Sequence, residues 1–203
     1  MAIPRKNSGL LIVLCGPSGV GKSTISRDLS KRYAVSYIVS ATTRPRRDGD
    51  DKGKQYQHIS KEEFFRRLEA NEFLEYAQNY DDYYGTPKHP ALDLLAQGKD
   101  ILLEIDVQGA LQVRFQYPDC LSIFILPPDE PTLLQRLKAR GRDSSEDIAK
   151  RFRAAKREIH MAKGSRAFDY MVINDDLNAA VEEIIKIIKH KRAEALPFRS
   201  GGI

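Results

Sequence analysis

The chain has 203 residues, 41% of them hydrophobic and 30% charged, with a formal charge of +5 from 33 basic and 28 acidic side chains. These proportions are ordinary for a soluble protein long enough to bury one α/β core, with or without inserted lobes. No apolar run approaches bilayer length, and zinc-finger spacing, a recognition-helix pattern and an aromatic RNA-binding signature are absent, so the basic excess suits polyanionic small molecules better than nucleic acid.

The apolar run Leu10 to Leu14 reads as a buried strand. It empties into Gly16, Pro17, Ser18, Gly19, Val20, Gly21, Lys22 and Ser23, which satisfy the spacing G-x-x-x-x-G-K-[ST], with Thr24 following. Glycines at that spacing let the backbone curl with its N–H groups inward, a cradle for phosphate oxygens. The helix expected from Ser23 to Tyr33 adds the positive end of its dipole. Lys22 can reach the terminal phosphates, and the Ser23 hydroxyl can ligate Mg²⁺. The motif therefore implies a nucleoside triphosphate. Cys15 and Cys120 both lie in or beside apolar runs and read as buried free thiols. The start, MAIPRKNSGLLIVLCG, feeds straight into the loop, and a cytoplasmic enzyme is expected.

Farther along, Val35 to Ser40 reads as one strand, and the polar stretch TTRPRRDGDDKGKQ as a surface loop. Arg44, Arg46 and Arg47 in that loop could pair with phosphate oxygens; on composition alone they could equally be solvated charge beside Asp48, Asp50 and Asp51. Gln55 to Ile59 suggests a short strand, and Lys61 to Ala70 a helix with Phe64, Phe65 and Leu68 on one face. The tyrosines Tyr76, Tyr80, Tyr83 and Tyr84 suit packing with polar handles better than a platform for a base. From Arg44 to about Pro87 the chain thus reads as a small inserted lobe.

Core texture returns with a helix near Ala91 to Ala96 and the strand Ile101 to Ile105, which ends at Asp106. Glu104, two positions earlier, shares the face of Asp106, and both are candidates for holding a metal's hydration shell or orienting a substrate. A helix from Val107 to Phe115 and a strand from Ser122 to Leu126 follow. Pro127 and Pro128 stop that strand, and Asp129 can cap the next helix, which runs to about Ala139. Between Thr132 and His160, nine basic residues stand against four acidic ones, an excess equal to that of the whole chain. A Gly141 hinge between two helices makes this a lid able to close over the loop and exclude water, with Arg140 and Arg151 as the cations best placed to clamp the phosphoryl group. Tyr170 to Ile173 is the last strand, and a helix from Asn178 to about Lys189 closes the chain.

The pattern predicts an α/β fold: a parallel sheet of P-loop NTPase type with helices on both faces, an inserted lobe and a helical lid. The expected division is a core of residues 8–43, 88–131 and 161–192, a lobe of 44–87, a lid of 132–160 and a loose tail of 193–203. Ligands in such sheets gather at the carboxyl ends of the strands, where Gly16 to Ser23, Ser40 and Asp106 all fall.

In order, GPSGVGKST, SATTRPRRDGDDKGKQY, NEFLEYAQNYDDYYGTP, LLEIDVQGA, SIFILPP, RGRDSSEDIAKR and FDYMVINDDL resemble the guanylate kinases, P-loop nucleoside monophosphate kinases, over roughly residues 10 to 190. The resemblance implies transfer of the γ-phosphoryl group of ATP to GMP with Mg²⁺, without a covalent enzyme intermediate. It implies that Arg44, Arg47, Tyr56 and Tyr84 grip the GMP phosphate, and that Ser40, Glu75, Thr86 and Asp106 read guanine. Glu104 falls near nucleotide and metal; Lys22, Arg44, Arg140 and Arg151 steady the transferred group, and Asn174 approaches the adenine. The chemistry is sound, because guanine presents N1–H and an amine on one edge and an ionised Glu75 can accept from both. AMP leaves that carboxylate unsatisfied, at a cost of roughly 2–5 kcal/mol. Arg46, Asp50 and Arg142 depart from the usual pattern. The other readings weighed are a kinase for a different phosphorylated acceptor, which has no use for Glu75 and Thr86, and a noncatalytic module that docks proteins in the cleft, which has no use for an intact phosphate loop. The sequence leaves the oligomeric state open.

Overall fold

The computed structural model describes residues 8–46, 56–79, 81–139 and 144–195. The chain opens with β1 (Leu11–Cys15), every residue of it buried, and turns through the glycine loop into α1 (Lys22–Arg32). Then β2 (Val35–Tyr37), β3 (Ser40–Thr42), β4 (Tyr56–His58), α2 (Lys61–Glu69), β5 (Phe73–Asn79) and β6 (Asp82–Pro87) follow. The second half alternates: α3 (Lys88–Ala96), β7 (Asp100–Glu104), α4 (Val107–Gln116), β8 (Leu121–Leu126), α5 (Glu130–Lys138), α6 (Ser145–Gly164), β9 (Tyr170–Ile173) and α7 (Leu177–Ala195).

Five strands form a parallel sheet in the order β2-β7-β1-β8-β9. Strand geometry alternates side chains between faces, and β1 shows the result. Leu11, Val13 and Cys15 join Ile101, Leu103 and Phe124 under α3 and α4. Ile12 and Leu14 join Leu102, Ile123, Ile125 and Val172 under α1 and α7. Burial on both faces is why these strands are apolar without alternation. Cys15 and Cys120 are free and buried, as expected.

A second sheet, ordered β4-β3-β6-β5, carries α2. Its small core is Phe64 stacked on Phe73, ring centroids 4.6 Å apart, with Ala41 beneath. Separately, α5 and α6 pack through Leu133, Leu137 and Ala155. Side-chain oxygens cap the helix starts where the sequence places an Asp or Ser: Asp129 accepts from Thr132 N–H and Ser144 from Asp147 N–H.

Two features differ from the sequence expectation. The run Val35–Ser40 is not one strand: β2 leaves the core sheet after Tyr37, and Ser40 starts β3 in the second sheet, where it pairs with Tyr56. Period and composition cannot choose a strand's partner, and tertiary pairing divides the run. Ser40–Thr42 thus pairs within the second sheet, ahead of Arg44 in the chain. Likewise α6 passes unbroken through 160/161, so the expected seam between lid and core falls inside one 20-residue helix.

Candidate active site

The carboxyl ends of β1 and β7 open into a cleft of about 940 Å³ that runs from the glycine loop to the second sheet. Gly16, Gly19 and Gly21 have φ of 149°, 88° and 99°, the left-handed range that lets the loop curl. Gly21 also caps α1, and a Cβ there would stand 2.5 Å from Asn174 Nδ2. Lys22 Nζ donates to the carbonyls of Gly16 and, at 3.2 Å, Pro17, so its ammonium lies inside the curl. Pro17, Ser18 and Ser23 line the same wall. Cys15, directly beneath, is chemically quiet: burial pushes its thiol up to about 12 although Lys22 pulls the other way.

Not every residue of the motif faces the cleft. The Val20 side chain is fully buried in the core beneath α1 and α7, and Thr24 lies exposed on α1 and does not line the cleft. Asn174 is buried behind the loop, donating through Nδ2 to the Val20 carbonyl at 2.8 Å. In this geometry Asn174 anchors the loop and does not line the cleft. Arg136 holds the same corner by donating to the Asn174 carbonyl at 2.8 Å.

Where β7 ends, the Ser23 hydroxyl donates to Glu104 at 2.6 Å. These are two hard oxygen donors facing the cleft beside the phosphate cradle, a set that fits Mg²⁺ completed by phosphate and water oxygens. Among the described residues no cluster of three His, Cys, Asp or Glu forms a cage of its own. Asp106 caps α4, accepting from Gly109 N–H at 2.9 Å, and its other oxygen accepts from Asn79 at 2.7 Å.

The far end of the cleft is built on β5 and β6. Glu75 is only 4% exposed, yet it lines the cleft. Thr86, opposite it in register and itself buried, donates to Glu75 Oε1 at 2.5 Å, and the Ser40 hydroxyl lies 3.5 Å from that of Thr86. Burial, and secondarily the charge of Asp106, pushes Glu75 up to about 7 against the pull of Thr86. Its ionisation is thus balanced near neutrality instead of assured. Tyr56 and Tyr84 meet edge to face at 5.6 Å, and the Arg44 guanidinium sits 5.8 Å from the Tyr56 ring centre. Arg44 is anchored by its N–H to Thr42 and by its guanidinium to the Pro45 carbonyl.

The third wall is α6. Arg151 lines the cleft, while Arg140 and Arg47 lie outside the described residues. Of the residues on α6 the sequence singles out Arg151, partnered with Arg140, but Asp147, Lys150, Arg157 and Glu158 line the cleft as well. The missed signal was helical spacing: starting from Arg151, steps of three, four and seven reach Asp147, Ala154 and Glu158. Glu158 is held above the usual carboxylate range by burial, with Lys22 opposing and Asp106 reinforcing the shift. Asn79 was missed as well, since an Asn in a polar hairpin carries no such spacing.

The "Guanylate kinase" family model matches residues 8–191. A guanylate kinase of Symbiobacterium thermophilum is 46% identical over 96% of this chain and 91% of its own length. One of Caldanaerobacter subterraneus is 48% identical over 90% and 88%. The crystal structure of guanylate kinase from Anaplasma phagocytophilum superposes with a TM-score of 0.76 at 31% identity, covering 94% of this chain and 88% of that one.

Proposed function

This chain belongs to the guanylate kinase family, and from that premise we propose that it moves the γ-phosphoryl group of ATP directly onto the phosphate of GMP or dGMP, yielding ADP and the nucleoside diphosphate. An acceptor phosphate oxygen forms the new bond to the γ-phosphorus as the bond to the β,γ-bridging oxygen breaks, in line, and the electron pair leaves with ADP. The acceptor oxygen is already anionic, so no general base is required. The observation that carries this reading is one continuous cleft with the glycine loop and Lys22 at one end and the Glu75–Thr86–Ser40 group at the other.

Each wall has a task. The loop N–H groups and Lys22 hold the donor's phosphates. Ser23 and Glu104 would hold Mg²⁺, which would supply neutralisation of the charge that develops on the donor's phosphates. Arg44, Arg47, Tyr56 and Tyr84 hold the acceptor phosphate, and Ser40, Glu75, Thr86 and Asp106 read its base. Arg151 and Arg140 neutralise the migrating group from the lid. Position and charge account for the acceleration, with no covalent enzyme intermediate. Two buried free thiols suit a reducing compartment, in keeping with a cytoplasmic enzyme; among the described residues no helix is long and apolar enough to cross a membrane.

A coupled ADP assay with GMP, dGMP, AMP and UMP tests the proposal. GMP and dGMP are expected to turn over at comparable rates, with AMP and UMP at least tenfold behind. Equal AMP and GMP rates would remove the role given to Glu75.

A further inference from the structure

One stripe of α4 lies along β5, the edge strand of the second sheet, and residues on it meet that strand at four levels. Asp106 accepts from Asn79 at 2.7 Å. Gln112 donates to the Tyr76 carbonyl at 2.6 Å and accepts from the Tyr76 N–H at 3.2 Å, so its amide pairs with the strand edge as another strand would. Gln116 donates to the Leu74 carbonyl at 3.3 Å. The remaining level is Gly109, three positions after Asp106 and three before Gln112, buried against Glu75.

Gly109 lies inside a 10-residue helix and its φ is not positive, so the backbone there does not require glycine. Alanine is the better helix former at such a position. What glycine provides is space. A Cβ at 109 would stand 2.3 Å from Glu75 Oε2 and 3.0 Å from its Cδ. A flexible carboxylate could ordinarily swing aside, but this one is enclosed, with Thr86 bonded to its other oxygen. The glutamine contacts hold β5 against the helix, so the strand cannot back away. The room left to the carboxylate lies toward the cleft, where the base is to be read.

We infer that Gly109 is a positioning residue for acceptor selection: its missing side chain sets the depth at which Glu75 sits, and so the geometry with which guanine is distinguished from adenine. The inference rests on Glu75 being the group that reads the base. An added methyl group displaces the carboxylate without altering the donor end.

The experiment is steady-state kinetics of the parent, G109A, E75D and G109A/E75D with GMP and AMP. The parent comes first, since a parent that does not prefer GMP overturns the reading of the acceptor, whatever the variants do. Given that preference, G109A is expected to raise the KM for GMP about 10- to 100-fold and lower the GMP-to-AMP ratio of kcat/KM similarly, with the KM for ATP and kcat at saturating GMP within about threefold. A variant that merely loosened the fold would move the ATP constants too. In E75D the carboxylate is withdrawn by one methylene, so G109A/E75D is expected to bind GMP as E75D does, the two changes failing to add. G109A with the parent's GMP KM and selectivity overturns the inference. So does a G109A/E75D protein that binds GMP more weakly than E75D, or that fails to fold where E75D folds, which also decides the matter should G109A itself not fold.

Discussion

The two ends of the cleft are built on different plans. The end proposed for the donor is main chain: a loop fixed between β1 and α1, with Val20 in the core beneath it and Asn174 tied to it from behind. The end proposed for the acceptor is side chain, assembled from Ser40, Glu75, Thr86 and Asp106 on β3, β5, β6 and the cap of α4, across a separate sheet. A phosphate cradle serves any nucleotide and benefits from rigidity, whereas telling one base from another requires groups that can be changed singly. Damage to the first end should therefore abolish turnover, and damage to the second should redirect it.

The largest effect expected is that of Lys22→Ala, a fall in kcat of about 10³-fold or more with either acceptor. A GMP-specific defect in that variant would erase the distinction between the two ends. Next is Arg192→Ala, which sharpens the comparison by leaving both ends alone. Arg192 on α7 donates to both oxygens of buried Asp100, which also accepts from Leu10 N–H, at the start of β7 and away from the cleft. Leaving that carboxylate without its charged partner should cost about 3 kcal/mol in urea unfolding, with kcat and both KM values unchanged. Altered GMP kinetics would mean that the core and the lobe are coupled.

Glu75→Gln should reduce kcat/KM for GMP about 100-fold while sparing the KM for ATP, measured against AMP as reference. A pH series on the same pair of proteins gives an independent reading. With its folded pKa raised from 4.5 to about 7, Glu75 contributes stability that is fully present below about pH 4.5 and is lost as pH rises through 7. The parent should therefore lose stability relative to Glu75→Gln across that window, by as much as about 3 kcal/mol. The GMP KM should run the other way, rising as pH falls below 7 and the accepting carboxylate becomes protonated. Asn174→Ala gives the smallest change: loss of the bond to the Val20 carbonyl, worth about 1–2 kcal/mol in unfolding, and a several-fold rise in the ATP KM without one for GMP.

How far the sequence reveals all this follows the same division. The glycine loop, Asp106 at a strand end and the core strands β1, β7, β8 and β9 are local patterns and are legible directly. The Glu75 pocket was reached only by family resemblance, because a glutamate in NEFLEYAQ carries no local mark of burial, and its partner Thr86 is eleven residues away across a hairpin. The split of Val35–Ser40 between two sheets was illegible for a related reason, since nothing in six residues states which strands await them. Gly109 carries no mark in the sequence that separates it from any other small residue in a helix. Its meaning depends on what stands opposite, and only coordinates supply that.

One property of α6 extends past its chemistry. Ala162 is seated in the main core, while Asp147, Lys150 and Arg151 lie along the opposite half of the same uninterrupted helix. At 1.5 Å per residue, Asp147 is roughly 22 Å from Ala162, so a tilt of about 10° pivoting on Ala162 sweeps it through roughly 4 Å. The helix is a lever whose fulcrum is bolted to the body of the enzyme. Ala155, Ile148 and Phe152 on the outer half pack with Leu133 and Leu137, so a tilt of that size would carry α5 along with the charged tip.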